Sequence, residues 1–468
     1  MTDSSLPGNT VEDPVLTSGG ETEAGREQEC PVPDDPSGDV PTRSPPLQSR
    51  VPGRSAEESA KGRSSAKPSS IPPPDKGATR HIGKRPRMSR FLRVLVSITA
   101  VMHVPFAIGM AELGRRLGLG LPWAFALVLS ALGVFFFVGR ARSGMYDRRK
   151  SRLEVALLDI PYFVHWCACI FTLAPALASV IVSPVVDLVR GMPITMPATF
   201  LMASYALGLV VSAYGILVRR RWFVVKEVEI PIKGLDPRLD GYRIAQLSDL
   251  HIGTATPQQW GERWAAAANG RAPDLAVVTG DLVTSGTEFY EDVANVIGAL
   301  KAKDGVYVTM GNHDYFGDGE PLVKLLRGRG AHVLRNEGVV LEHDGAKMYL
   351  AGIDDTWTKR DDLTRALAGR PPSMPSILLA HDPDRFRAAA KEGVTLTLSG
   401  HTHGGQIAMP FFGRMFSLSH LTHHFHVGLY TKGDSTLYVH PGLGTTGPPI
   451  RIGVAPAVVI LTLRARAA

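Results

Sequence analysis

The sequence predicts an α/β fold for its C-terminal half, preceded by four membrane-spanning helices and a disordered N-terminal tail. Composition changes twice along the 468 residues. A polar segment rich in Pro, Ser and Gly is followed by long apolar stretches, and then by short β-rich runs that alternate with helix-compatible segments. We therefore divide the chain into a tail (1–83), a transmembrane region (84–221) and an α/β domain (222–468).

The tail contains no aromatic residue and carries many charges. Such a segment cannot bury enough apolar surface to offset the conformational entropy of the chain, so we expect residues 1–83 to be disordered. The absence of an apolar core near Met1 argues against a cleaved secretion signal.

Four apolar stretches lie at about 91–110, 121–138, 162–182 and 198–218. Each approaches the ~20 residues that a helix needs to cross the hydrocarbon core of a bilayer. Pro105 and Pro175 fall inside two of them, which membrane helices tolerate better than soluble ones. Four successive runs with arginine-rich flanks disfavour the alternative of buried helices in a soluble domain.

Basic residues are concentrated before the first stretch, between the second and third, and after the fourth. By the positive-inside rule this predicts a multi-pass protein of the cell membrane with both termini and the C-terminal domain in the cytoplasm. The prediction requires an even number of crossings, because one re-entrant stretch would move the C-terminal domain to the other face. The formal net charge of +7 is spread over these flanks, so we expect no nucleic-acid partner.

The three cysteines do not form a disulfide framework or a zinc-finger pattern. Cys30 lies in the polar tail, whereas Cys167 and Cys169 lie in the third apolar stretch. This usage fits a reducing compartment.

Polar clusters follow the β-rich runs of the C-terminal domain, at the strand ends where ligands collect in α/β sheets. Carboxylate oxygens mixed with imidazole nitrogens suit Mn, Fe or Zn. Five such clusters at five strand ends disfavour a purely structural interpretation. They contain Asp249 and His251 in "SDLH", Asp281 in "TGD", Asn312, His313 and Asp314 in "GNHD", His381 in "AHDPD", and His401 and His403 in "SGHTHGGQ".

These motifs, in this order, resemble the calcineurin-like metallophosphoesterase family, and "GLYTKGDSTLYVHPGLGTTGPPIRI" resembles its membrane-associated YkuE/YaeI-like phosphodiesterase branch. The resemblance covers about residues 240–464. It implies a four-layer α/β/β/α sandwich with two divalent metal ions at one edge. It further implies that Asp249, His251, Asp281 and His403 bind one ion, and that Asp281, Asn312, His381 and His401 bind the second, with Asp281 bridging.

The implied reaction is hydrolysis of a phosphodiester or pyrophosphate bond by metal-activated hydroxide. His313 resembles the family's histidine that stabilises the transition state or protonates the leaving oxygen. Asp314 either orients the His313 ring or is a solvated turn carboxylate.

The sequence allows more than one interpretation of three further features. The "HLTHHF" tract favours a mobile loop near the cleft over a third metal site. His440 and Pro441 stand where relatives often carry serine and arginine, which leaves substrate contacts there open. Arg451 either contacts an anionic substrate or supports the surrounding loop.

Membrane helices would hold the active site close to lipid headgroups, so a lipid-linked phosphoester is the leading substrate hypothesis. A soluble nucleotide phosphodiester is the second. A membrane sensor that binds a phosphorylated ligand without cleaving it is the alternative from another functional class.

Overall fold

The computed structural model describes residues 30–31, 90–143, 147–191, 198–408 and 423–466. The predicted disorder of residues 1–83 concerns a segment outside these residues, except for a two-residue strand at Cys30–Pro31. Long helices occupy the region before residue 222, and an α/β domain follows it. The helices are Arg90–Arg116, Pro122–Ser143, Arg152–Val189 and Ala198–Arg221 in the first region, and Gln258–Asn269, Tyr290–Gly298, Gly319–Gly328, Leu363–Leu367 and Phe386–Lys391 in the second.

The strands of the described residues form two sheets. In chain order they are β1 (Cys30–Pro31), β2 (Val224–Lys233), β3 (Arg243–Leu247), β4 (Leu275–Thr279), β5 (Val306–Thr309), β6 (His332–Val333), β7 (Glu337–His343), β8 (Ala346–Gly352), β9 (Ser376–Leu379), β10 (Leu396–Ser399), β11 (Gly428–Lys432), β12 (Ser435–Val439) and β13 (Ala457–Arg466).

Parallel strands form the centre of each sheet. One sheet has the order β2-β13-β3-β4-β5-β6, and β3 to β6 run parallel. The other has the order β1-β11-β12-β10-β9-β8-β7, with β8, β9, β10 and β12 parallel. The carboxyl ends of parallel neighbours lie at one edge of a sheet, so the loops after these strands come together.

The two sheets pack face to face over a shared apolar core. Ile244 and Val277 of one sheet belong to the same buried cluster as Leu379 and Leu398 of the other. Central strands buried on both faces read as continuous apolar runs, which explains the uninterrupted "LAVVT" of β4.

Helices cover the outer face of each sheet. Trp264, Val293 and Leu322, from three successive helices, pack on one sheet, while Ala366 and Ala389 pack on the other. The predicted four-layer α/β/β/α sandwich is therefore confirmed.

The four helices before residue 222 are long and apolar enough to cross a membrane. Their outer faces expose large apolar side chains such as Leu127, Phe135 and Leu177. The third helix, Arg152–Val189, extends beyond the predicted stretch at 162–182 in both directions, and its first turns carry charged side chains among apolar ones. Asp159 in these turns accepts a hydrogen bond from Lys150 Nζ at 2.9 Å and pairs with Arg140.

The membrane region contacts the α/β domain at the edge where the parallel strands end. Asp147, between the second and third helices, accepts a hydrogen bond from the Thr254 N–H at 2.8 Å and donates its own N–H to Ser285 Oγ at 2.9 Å. At the end of the fourth helix, Arg220 donates to the Ala255 carbonyl at 2.9 Å. Thr254 and Ser285 lie in the loops after β3 and β4, so the strand-end edge faces the membrane helices.

Candidate metal centre

The predicted site residues lie just beyond the carboxyl ends of five parallel strands. Three of these strands belong to one sheet and two to the other, so the site spans both sheets. Asp249 and His251 follow β3, Asp281 follows β4, Asn312, His313 and Asp314 follow β5, His381 follows β9, and His401 and His403 follow β10.

One group of side chains comprises Asp249, His251, Asp281 and His403, all buried, with one nitrogen or oxygen from each within 4.8 Å of the others. The Nε2 atoms of His251 and His403 are 3.0 Å apart. His403 Nε2 lies 3.2 Å from Asp249 Oδ1, and His251 Nε2 lies 3.5 Å from Asp281 Oδ2. The arrangement directs two imidazole nitrogens and two carboxylates at one point.

A second group shares Asp281 with the first and adds His381 and His401. His381 Nε2 lies 3.3 Å from Asp281 Oδ2 and 3.2 Å from His401 Nδ1. His381 Nδ1 is 2.8 Å from the Thr279 carbonyl, and donation to that oxygen turns Nε2 towards Asp281. Asp281 thus stands between the two groups.

Asn312 lies on the loop after β5. Because β5 pairs in parallel with β4, this loop lies beside Asp281 at the end of β4. Its Oδ1 atom is buried and accepts no hydrogen bond within the described residues. A buried amide oxygen without a partner is destabilising unless a cation or water satisfies it. This oxygen therefore fits a metal ligand.

Five of the six residues in the two groups share an unusual backbone conformation, and His381 is the exception. Asp249, His251, Asp281, His401 and His403 have φ between 45° and 69°. A residue with a Cβ held in this left-handed region costs about 1–3 kcal/mol, and such strain is concentrated at functional sites. The strained turns point these side chains inward from the strand ends.

Two glycines allow the loops to approach each other closely. A Cβ at Gly400 would overlap the Ser248 hydroxyl and the Asp249 carboxylate, and one at Gly311 would overlap the Asp281 carboxylate. Glycine is required at both positions because the carboxylates occupy the space that a side chain would fill.

Burial and charge set the protonation of the imidazoles. Burial lowers the pKa of His251 and of His401 to about 3, so both rings are neutral and keep a lone pair for a metal. Burial also opposes the charged form of His381, but the carboxylates of Asp281 and Asp249 outweigh it and raise the pKa of His381 to about 10. A metal that binds His381 Nε2 must therefore displace a proton.

His313 lies beside both groups, with its ring 4.6 Å from that of His251 between centroids. His313 Nδ1 is 2.6 Å from the Thr284 carbonyl and donates to it, while Nε2 lies 3.3 Å from Thr446 Oγ1. The half-buried ring therefore presents Nε2 to the cleft.

Asp314 matches neither alternative that the sequence left open. It is fully buried, so it is not a solvated turn carboxylate. Its Oδ1 accepts from the N–H groups of Leu282 and Val283 at 2.8 and 3.1 Å, and its Oδ2 accepts from the Gly311 N–H at 2.8 Å. Asp314 ties the loop after β5 to the loop after β4, and the Thr284 carbonyl orients the His313 ring.

Arg451 supports the surrounding loop. It is fully buried and donates to the carbonyls of Gly444 at 2.7 Å and Pro441 at 2.9 Å. One of its Nη atoms lies 3.5 Å from His403 Nδ1, so it also backs a residue of the first group. His440 is likewise buried, and its Nδ1 accepts from the Gly442 N–H at 2.9 Å.

Part of the histidine-rich tract lies outside the described residues, including His420. Among the described residues, His423 places its ring 5.2 Å from that of His401. Neither His423 nor His424 belongs to a metal-capable group of three in the described part of the chain. The mobility of this loop stays a prediction.

Two exposed aromatic side chains at the rim were missed in the sequence. Trp357 is 62% exposed and its ring lies 5.3 Å from that of His401, while the Phe316 ring lies 4.4 Å from that of His313. Trp357 follows β8 in "GIDDTW", and the two aspartates at this strand end were a usable signal.

The residues present fit a pair of divalent cations. Carboxylate oxygens and imidazole nitrogens form two groups that share Asp281, and the neighbouring loop carries the unpartnered amide oxygen of Asn312. This donor set is the one expected for Mn, Fe or Zn.

A family model, Calcineurin-like phosphoesterase, matches residues 242–405. "Transmembrane protein with metallophosphoesterase domain" of Danio rerio is 33% identical over 269 residues, which are 54% of this chain and 60% of that protein. "Uncharacterized metallophosphoesterase YkuE" of Bacillus subtilis is 33% identical over 48% of this chain and 80% of its own length. An "Uncharacterized metallophosphoesterase" of Aquifex aeolicus is 30% identical over 49% of this chain and 88% of its own.

The match therefore covers about 60% of the length of the transmembrane relative and most of the two shorter ones. The described apolar helices and the name of the transmembrane relative indicate a membrane protein. With its α/β/β/α sandwich and its strand-end clusters of Asp and His, the chain belongs to the calcineurin-like metallophosphoesterase family.

Proposed function

We propose that this chain is a membrane-anchored, metal-dependent phosphoesterase that hydrolyses a phosphodiester or pyrophosphate bond in a lipid-linked substrate. One observation carries the lipid part of the proposal. The strand-end edge with both metal-capable groups is also the edge that contacts the membrane helices, through Asp147, Arg220 and their partners.

The two groups supply the ligands. Asp249, His251, Asp281 and His403 would hold one ion; Asp281, Asn312, His381 and His401 would hold the other. When bound, two divalent ions activate water for attack on phosphorus and offset charge on the phosphoryl oxygens. Asp281, between the groups, fixes their spacing.

His313 is the catalytic side chain that does not bind metal in this scheme. Its Nδ1–H is held by the Thr284 carbonyl, so Nε2 points into the cleft. From there it can donate a hydrogen bond to the phosphoryl group or a proton to the leaving oxygen.

The contacts also bear on topology. The loop at Asp147 and the end of the fourth helix both contact the α/β domain, as expected if they lie on the same face of the membrane. The arginines around these segments support a cytoplasmic position for that face by the positive-inside rule. A reporter fused after Ala468 tests this assignment.

The test uses the full chain in lipid nanodiscs loaded with Mn²⁺. Phosphate or headgroup release from a lipid extract is compared with hydrolysis of bis-p-nitrophenyl phosphate, with Asp281→Asn as the inactive control. The proposal predicts turnover of lipid that falls when the lipid is diluted with detergent. Turnover of soluble esters alone, insensitive to detergent dilution, contradicts the lipid-linked substrate.

A soluble nucleotide is the second candidate, and Trp357 is the observation that favours it. An exposed indole beside His401 can stack on a nucleobase. Trp357→Ala should then raise KM for nucleotide phosphodiesters while leaving KM for bis-p-nitrophenyl phosphate unaffected.

If the full chain retains metal yet turns over no phosphoester, a non-catalytic sensor replaces both proposals.

A further inference from the structure

A third group of metal-capable side chains lies among the membrane helices. His103 belongs to the first helix, and His165 and Cys169 belong to the third. One nitrogen or sulfur from each lies within 4.8 Å of the others. This group has no carboxylate, and no residue of the strand-end site takes part in it.

The two histidines face each other through Nε2. These atoms are 3.2 Å apart. His103 Nδ1 donates to the Thr99 carbonyl at 2.7 Å, which makes His103 Nε2 the lone-pair nitrogen. Two nitrogens bound to one tetrahedral zinc at ~2.0–2.1 Å lie roughly 3.3 Å apart, so the observed separation already matches a shared metal.

Cys169 follows His165 by four residues on the same helix, which places both side chains on one face. Its Sγ atom lies 3.9 Å from His165 Nε2. Cys169 is fully buried, His103 is 2% exposed and His165 is half-buried, so the three donors lie largely within the packed helices.

The second helix approaches these donors closely at a glycine, because the imidazoles occupy the space that a side chain would fill. A Cβ on Gly133 would lie 2.5 Å from His103 Nε2 and 3.1 Å from His165 Nε2. Phe106 encloses the group from another side, with its ring 4.9 Å from that of His165. Ionisable side chains at this depth in a membrane are rare and generally functional.

We propose that His103, His165 and Cys169 form a transition-metal site inside the membrane region that ties the first helix to the third. Two imidazoles and a thiolate are a softer donor set than the Asp, Asn and His of the strand ends, and they select Zn²⁺ or Cu⁺. Binding breaks the S–H bond of Cys169, forms a metal–sulfur bond and releases one proton.

The same side chains permit a metal-free alternative. Tyr205 Oη lies 2.8 Å from His165 Nδ1. If Tyr205 donates to His165, His165 can donate through Nε2–H to His103, and the three groups form a hydrogen-bonded chain. Cys169 is not needed for this series of hydrogen bonds, whereas it is a ligand in the metal site. The role of Cys169 therefore distinguishes the two arrangements.

The experiment is a Co²⁺ titration of the chelator-treated full chain in detergent, because cobalt reports thiolate ligands by a near-ultraviolet charge-transfer band. The strand-end groups contain no cysteine, so they cannot give this band. The proposal predicts the band in the wild type and in Cys167→Ser and Cys30→Ser, and its loss in Cys169→Ser. Cys167 is the matched control because it is buried on the same helix but packs against Ile216 and Ile450.

A second variant guards against misfolding of Cys169→Ser. His103→Gln retains the thiol and should weaken cobalt binding at least about tenfold, as judged by the midpoint of the same titration. Retention of bis-p-nitrophenyl phosphate turnover with Mn²⁺ reports that either variant is folded. Absence of the band from the wild type, or its persistence in Cys169→Ser, overturns the proposal in favour of the hydrogen-bonded chain.

Discussion

The strand-end site and the His/Cys group of the membrane helices bring imidazoles together by opposite means. At the strand ends, Asp249 and Asp281 occupy left-handed turns on separate loops, and the paired strands bring those loops together. In the membrane, helical spacing alone aligns His165 with Cys169, and only His103 comes from another helix. In this chain the strand-end loops carry seven predicted ligands, whereas the helices bring three metal-binding side chains together.

The largest expected effect separates the two sites. Asp281→Asn removes the carboxylate that both strand-end groups share, so neither ion is held well. Turnover should fall by more than about 10⁴-fold, and bound Mn measured by mass spectrometry should fall with it. The thiolate-to-cobalt band should be unchanged.

Asp274→Asn is the matched control for that change, because Asp274 is a buried carboxylate that pairs with Lys303 away from both groups. The folded fraction of this variant should keep wild-type turnover. Comparable loss in both variants would show that Asp281 acts through folding and not through metal.

The next prediction tests whether a residue of the strand-end site acts in catalysis or binds metal. His313→Ala removes the ring that Thr284 holds towards the cleft. Turnover should fall about 10²–10⁴-fold, as is usual for loss of a general acid, while metal content stays at the wild-type value. Loss of metal together with activity would instead make His313 part of the ligand set.

A smaller effect concerns the contact between the two regions. Arg149 pairs with Asp292 at 2.7 Å and its guanidinium lies 4.9 Å from the Phe289 ring centroid. These exposed contacts contribute about 1–2 kcal/mol together, so Arg149→Ala should reduce lipid turnover by roughly fivefold or more and spare soluble esters. Arg152→Ala removes the same charge nearby and should leave both rates unchanged. An equal loss on soluble esters would contradict a role in presenting lipid.

The smallest effect is on stability and is confined to the sandwich. Asp274 accepts from Lys303 Nζ at 2.7 Å and from the Arg243 N–H at 2.8 Å. Burial acts to raise the pKa of Asp274, but these two partners outweigh it and lower the pKa overall. Asp274→Asn should therefore reduce the free energy of unfolding by about 1–3 kcal/mol at neutral pH.

The sign of the pH dependence follows from that lowered pKa. The stabilising charge is present above the unfolded-state pKa of about 3.9 and is lost as the pH falls through the lower folded-state value. Thermal unfolding of the full chain in detergent should show the difference between the wild type and Asp274→Asn narrowing below about pH 4. A difference that persists in acid would assign the effect to packing.

The strand-end site was predictable because its polar motifs interrupt apolar strands at fixed places. "GNHD" and "SGHTHGGQ" stand out against β5 and β10, and parallel strands deliver their ends to one edge. The same motifs carried the family resemblance that implied the α/β/β/α fold, and that fold is confirmed. The assignment of each ligand stays a prediction. Asp314 could not be assigned because its partners, the Leu282 and Val283 N–H groups, are backbone and leave no side-chain signal.

The His/Cys group of the membrane helices could not be predicted from the sequence, for a different reason. His103 and His165 are 62 residues apart, and each stands alone within an apolar run. Only helix packing brings them together, and hydropathy carries no information about which faces meet. The first turns of the third helix were missed likewise, since Arg152, Glu154 and Asp159 lower their hydropathy.

The left-handed turns at Asp249, His251, Asp281, His401 and His403 also bear on how cations would enter. The backbone is held there by the domain's own hydrogen bonds, such as the Asp249 N–H to the Gly280 carbonyl at 3.0 Å. Arriving ions therefore find donors already arranged, and little chain ordering opposes their uptake. Exchange of one divalent ion for another would leave the loops in place. The metal bound in a cell would therefore depend on which ions are available as well as on the geometry of the site.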